Sequence, residues 1–140
     1  MRKSSVVWLA LAALWATPLL AAPQARPVQW KVGEQAFSGY LVYDDASKEI
    51  RPGLVMVPNW MGATDSAVEK AKEIAGDDYV VLVADVYGEG VRPKDAAEAG
   101  TQVRRVYSDG GVALRARVEA AVDVLKAQAG KAPVDATRIG

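Results

Sequence analysis

The sequence predicts an α/β fold in which an antiparallel hairpin precedes a parallel βαβ unit. Three observations carry this. Val28–Val32 alternates apolar and polar residues, and after the turn Gly33-Glu34-Gln35 a second strand, FSGYLVY, follows at Phe37–Tyr43, which makes a hairpin. Two runs, GLVMVP at Gly53–Pro58 and YVVLVA at Tyr79–Ala84, are apolar without alternation, as strands covered on both faces of a parallel sheet are. Between those runs lies an amphipathic helical stretch, so the order is strand, helix, strand.

The elements follow in order. Asp44 to Lys48 is a polar loop, and Pro58 ends the first buried run. Ser66 and Glu69 have capping-box spacing, and Ala67, Val68, Ala71, Ile74 and Ala75 share one helical face that Gly76 closes. The second buried run ends at Asp85 and opens into the loop Val86–Arg92. Pro93 then suits the first turn of a helix with Ala96, Ala99, Val103, Val106 and Tyr107 on its apolar side. Asp109-Gly110-Gly111 interrupts the chain. A last amphipathic helix follows, with Leu114, Val118, Ala121, Val122 and Leu125 inward and Arg115, Glu119 and Lys126 outward. Residues 130–137 read as a loop, and Arg138-Ile139-Gly140 as the first step of a third parallel strand. Two parallel strands with their helices need such a strand for cover, so a fragment of a larger sheet is expected rather than a small complete domain.

The 140 residues fit one domain. Seventeen basic residues balance 17 acidic ones, which lacks the basic surplus of a nucleic-acid binder. The chain has no Cys and no His. It therefore holds no disulfide, no thiol nucleophile, no Ser-His or Cys-His pair and no Cys- or His-ligated metal. Six Ser residues are present, none of them in G-x-S-x-G. No metal site or cofactor motif is expected. Asp44-Asp45 and Asp77-Asp78 read as solvated turns.

Residues 1–21 read as an export signal. Arg2 and Lys3 form a positive start, VVWLALAAL from Val6 to Leu14 forms the apolar stretch, and Ala21-Ala22 precede Pro23. Thr17-Pro18 interrupts the apolar stretch, which argues against a membrane anchor. Cleavage after Ala21 avoids placing Pro directly after the cut, and leaves residues 22–140 as the mature domain. Losing Arg2 and Lys3 leaves 15 basic against 17 acidic residues, a net charge of −2. The expected address is periplasmic or secreted, with membrane contact only through the signal.

Ligands of parallel α/β sheets sit beyond the carboxyl ends of the strands. Two loops occupy that edge here. In Pro58-Asn59-Trp60-Met61-Gly62, backbone N–H groups can face a developing oxyanion; equally, Asn59 can simply serve turn geometry while Trp60 packs on a helix. In the second loop, Gly88 and Gly90 form a G-x-G with no third glycine at dinucleotide-binding spacing. Arg92 has the bidentate geometry to hold a substrate carboxylate, or is a solvent-facing charge before Pro93. Asp85 is either a site carboxylate or, as strand-end Asp residues more commonly are, an acceptor for loop amides.

Four stretches taken together resemble the amino-terminal half of the dienelactone hydrolase family, a branch of the α/β hydrolases: FSGYLVYDD, PGLVMVPNWMGATD, YVVLVADVYGEGVRP and VDATRIG. The resemblance implies an α/β-hydrolase-like sheet, truncated before the strand that carries the nucleophile. It implies a hydrolase acting on a lactone or carboxylic ester through a Cys, an Asp and a His that all lie in the second half. None of that triad is present here, so the 140-residue chain is expected to be inactive. By the same resemblance the N–H of Trp60 is one oxyanion donor. Asn59 stands where classical members carry a Glu that interacts with the thiol. Met61, Gly62, Tyr87 and Gly88 line the site, and Arg92 is a candidate for the substrate carboxylate. The implied partners are a small ester or lactone and a carboxyl-terminal half. A small non-catalytic secreted α/β binding module is the alternative, and a half that folds with a separately encoded partner is a third.

Overall fold

The computed structural model describes residues 22–140; the expected signal segment lies outside the described residues. The chain forms β1 (Gln24–Val32), β2 (Gln35–Tyr43), β3 (Arg51–Met56), α1 (Asp65–Ala75), β4 (Val80–Val83), α2 (Ala96–Val106), α3 (Val112–Lys126) and β5 (Val134–Ile139). One five-stranded sheet has the order β1-β2-β4-β3-β5. The hairpin is antiparallel and joins the rest of the sheet through antiparallel β2–β4 pairing. β3 pairs in parallel with β4 on one side and with β5 on the other. The α/β class, the hairpin and the parallel βαβ unit therefore stand as the sequence implies.

β4 is buried at all four positions, as its unbroken apolar run requires. β3 is less covered: Arg51 and Gly53 are buried, while Leu54, Val55 and Met56 are only partly so. The reason is where the helices lie. α1 packs chiefly over β4 and β2, and α3 over β5 and β3 on the opposite face. One core joins Leu41, Leu82, Ala121, Leu125 and Val134 on the α3 side. The other joins Val42, Ala71, Ala75, Val81 and Val83 on the α1 side.

Helix starts differ from the sequence reading. Thr64, not Ser66, caps α1, its side chain accepting from the Ala67 N–H, because the helix opens one residue before Ser66. Ile74 is more than one-third exposed, since the buried stripe runs through Val68, Ala71 and Ala75 and Ile74 sits on its flank. Pro93 lies outside α2. Asp95 caps that helix by accepting from the Glu98 N–H, while the Glu98 carboxylate accepts from the Lys94 N–H. Asp109 closes the approach to α3, accepting from the Gly111 and Ala113 N–H groups.

Of the stretch read as a loop through Thr137, the part from Val134 on already belongs to β5. Its pairing with β3 shifts register between Pro52 and Gly53. Asp135 organises the irregularity: Oδ1 accepts from the N–H and hydroxyl of Thr137, and Oδ2 accepts from Nε of Arg138 at 2.7 Å. The ladder then resumes, with the Gly140 N–H donating to Gly53 and the Val55 N–H donating to Gly140. The third parallel strand thus forms beside β3, and begins at Val134 rather than at Arg138 as the sequence suggests. Among the described residues no helix is long and apolar enough to cross a membrane.

Candidate active site

Because β3 and β4 run in parallel, the loops that follow them emerge at the same edge of the sheet. The loop after β3 is a tight turn held at each peptide. The Asn59 carbonyl accepts from the Gly62 N–H at 2.9 Å. The Asn59 side chain accepts from the Met61 N–H at 2.9 Å, an Asx turn. The Trp60 carbonyl accepts from the Tyr87 hydroxyl at 2.8 Å. Among the described residues the Trp60 N–H donates to no protein acceptor. Its peptide is oriented by the bond on the Asn59 carbonyl, so this donor is fixed in place yet free. Asn59 therefore serves turn geometry, whereas Trp60 does not bury its ring on a helix: the residue is half exposed.

Asp85 organises the second loop. It is 1% exposed and accepts from three backbone donors: Tyr87 N–H at 2.9 Å and Gly88 N–H at 3.1 Å on Oδ1, and Ser38 N–H at 3.2 Å on Oδ2. This is the amide-binding reading of a strand-end Asp. Gly62 completes the junction between the loops. It has φ +80°, and a Cβ there would press within 3.3 Å of the Tyr87 ring. Tyr87 and Gly88 are buried beside it. Burial, with a smaller contribution from Tyr107, raises the Tyr87 pKa above its ordinary value, so its hydroxyl remains a donor.

Arg92 meets neither description that the sequence offers. Its Nε donates to the Ala63 carbonyl at 2.9 Å, Nη1 to Val91 at 2.9 Å and Nη2 to Ser38 at 3.1 Å; Nη1 also stands 3.6 Å from Asp85 Oδ1. The guanidinium is a latch between β2 and both edge loops. A substrate carboxylate at Arg92 would have to displace those carbonyls, which is the physical reason against the expected grip. A second latch escaped the sequence reading altogether. Arg117 of α3 donates to the Val86 carbonyl at 2.6 Å and to Gln35 Oε1 at 3.1 Å, and lies over the Phe37 ring, while Gln35 donates to the Tyr87 carbonyl. Its only sequence signal is its place one residue before Val118, on the border of the apolar stripe of α3.

Between the turn and the two helices lies a crevice of about 250 Å³. Pro58, Asn59, Trp60 and Tyr87 wall one side, and Val103, Val106 and Tyr107 of α2 and Leu114 of α3 wall the other. Met61 is half-buried within the turn and Gly88 lies against Gln35; neither lines the crevice. The edge thus offers an oriented N–H donor beside an apolar hollow. A chain with no Cys and no His brings no thiol or imidazole to it. Among the described residues no three carboxylates, Cys or His residues cluster to hold a metal ion.

An antiparallel hairpin that leads into parallel strands, with two loops meeting at their carboxyl edge, is the arrangement of an α/β-hydrolase-type sheet. The model of the dienelactone hydrolase family matches residues 37–140, and the chain belongs to that family. Solved structures similar to it include the following two. One, m3DLH, is 33% identical, with a TM-score of 0.74 over 84% of this chain and 48% of its own. The other, a dienelactone hydrolase-like promiscuous phosphotriesterase P91 from metagenomic libraries, is 30% identical, with a TM-score of 0.74 over 84% of this chain and 47% of its own. The chain therefore spans about half the length of these proteins. No curated protein matches it.

Proposed function

We propose that this chain is the amino-terminal half of an exported hydrolase that cleaves a lactone or carboxylic ester. In this reading it supplies the oxyanion donor and the floor of the substrate site, and a carboxyl-terminal half supplies the nucleophile, its Asp and its His. The free, oriented Trp60 N–H at the carboxyl edge of the sheet carries the reading. Family membership, the half-length match and the lack of any Cys or His support it.

The test has two parts. Purified, the 140-residue chain alone is expected to show no ester hydrolysis. The nucleotides after the Gly140 codon are expected to continue into a G-x-C-x-G or G-x-S-x-G turn with Asp and His further on, and the protein from that whole frame to hydrolyse p-nitrophenyl esters. A stop codon there with no complementing frame nearby would overturn the enzyme reading in favour of a non-catalytic binding module. Export through residues 1–21 belongs to the same proposal, and a mature protein whose first residue is Ala22 is the expected result of amino-terminal sequencing.

A further inference from the structure

The crevice beside Trp60 says more about the substrate than the fold does. None of its lining residues carries a charge. Two guanidiniums that brace the flanking loops are engaged elsewhere: Arg92 on the Ala63, Val91 and Ser38 carbonyls, Arg117 on the Val86 carbonyl and Gln35. The facing wall is aliphatic, with Val103 and Val106 one helical turn apart on α2 and Leu114 on α3. Tyr107, at the rim, is more than half exposed. A dry cavity of about 150 Å³ is enough to take up benzene, so about 250 Å³ accommodates an aromatic ring or a short aliphatic chain.

We infer that this crevice is the subsite for the acyl chain of the substrate and that it selects an uncharged, apolar chain over a carboxylate-bearing one. The inference rests on the hydrolase reading above and narrows it. An ester whose carbonyl oxygen accepts from the Trp60 N–H would lay its acyl chain against Val103, Val106 and Leu114, removing apolar surface from water on both sides. A chain ending in a carboxylate would lose its hydration against that aliphatic wall and find no cation among the lining residues, and Arg92 and Arg117 would have to break bonds to backbone carbonyls to reach it. The selectivity therefore comes from the apolar wall together with the engaged state of Arg92.

The test separates binding from catalysis. The ¹⁵N-labelled full chain is titrated with ethyl butyrate and with monoethyl succinate, whose acyl chain carries a carboxylate in place of the terminal methyl. Ethyl butyrate is expected to shift the amide resonances of Trp60, Val103, Val106, Tyr107 and Leu114, with an affinity at least about 10-fold above that for monoethyl succinate. Val103→Arg is expected to reverse the order. Tyr107→Arg, at a position more than half exposed, is expected to narrow the gap if the first variant does not fold. Equal affinities, shifts confined to other surfaces or no shifts at all would overturn the subsite. If ethyl butyrate binds in the crevice while the protein from the whole frame hydrolyses no ester, the hydrolase reading falls and takes the acyl-chain role with it, while the crevice's preference for uncharged, apolar ligands stands. If esters are hydrolysed with no preference between butyrate and succinate chains, the subsite falls and the hydrolase reading stands.

Discussion

The hydroxyl of Tyr87 donates to the carbonyl of Trp60 at 2.8 Å, while the N–H at the other end of the same peptide unit, that of Met61, donates to the Asn59 side chain. One peptide is thereby clamped from both sides, by the loop after β4 and by its own turn. The Trp60 N–H precedes that clamped peptide by one residue, so its direction depends on it.

Tyr87→Phe should expose this dependence. The ring and its packing against Gly62 remain, and only the hydroxyl goes. The expected loss of stability is about 1 kcal/mol by urea unfolding, the ordinary net worth of one hydrogen bond. In the whole-frame enzyme kcat should fall about 10-fold with KM little changed, because a loosened donor is missed mainly in the transition state. An unchanged kcat would separate Tyr87 from the oxyanion turn. Since burial holds the Tyr87 pKa above its ordinary value, the wild-type hydroxyl should remain a donor across the neutral range, so the difference between wild type and variant should not vary with pH there.

Asp85→Ala should be far more disruptive. The carboxylate is 1% exposed and accepts from the Ser38, Tyr87 and Gly88 N–H groups, so truncation leaves three backbone donors without their acceptor and Arg92 without its neighbouring negative charge. A loss of about 3 kcal/mol or more is expected by denaturant unfolding. Asp85→Asn keeps an acceptor for some of these bonds and should lie between the two. Equal stability of Asp85→Ala and wild type would mean that the loop is held by Arg92 and Arg117 instead.

These two residues show what the sequence can and cannot reveal. The strands were legible because burial of the parallel strands forces unbroken apolar runs, and the turn after β3 was legible because Pro58 and Asn59 punctuate it. Asp85 was legible as an amide acceptor from its place at a strand end. The uses of Arg92 and Arg117 were not, because an Arg that latches distant carbonyls looks, in sequence, like any surface Arg. Ser38 and Arg92 are 54 residues apart, and Gln35 and Arg117 are 82 apart. The start of β5 was also hidden. Asp135 and Thr137 read as loop residues, and the structure uses them to hold an irregular strand in place.

Gly39→Ala tests how closely the hairpin must approach the parallel part of the sheet. Gly39 lies in β2 beside the β2–β4 junction, where Tyr40 pairs with Val83. A Cβ at this position would overlap the Val83 carbonyl oxygen and press the Trp30 ring, which stacks on Phe37. Backbone cannot yield as a flexible side chain does, so the expected penalty is about 3 kcal/mol, at the upper end for overpacking. Retention of wild-type stability would mean that β2 and β4 shift apart at no cost.

Asp135 predicts a pH dependence at the outer edge of the sheet. Hydrogen bonds from Thr137, followed by that from Arg138, lower its pKa from 3.8 to about 2. A carboxyl group with a depressed folded-state pKa contributes stability above its unfolded value of 3.8, and that contribution is lost as pH falls through about 2. The stability difference between wild type and Asp135→Asn should therefore be constant above about pH 5, narrow between about pH 4 and pH 2, and vanish below that. Thermal unfolding of both proteins across this range is the measurement. Because Asp135 fixes the register shift that lets Gly140 rejoin the ladder beside Gly53 and Val55, the protection of the Val55 amide, taken relative to its intrinsic exchange rate at each pH, should fall over the same interval in the wild type and be low throughout in the variant. Protection at Val55 that stays constant across this range would show that β5 keeps its register without the carboxylate.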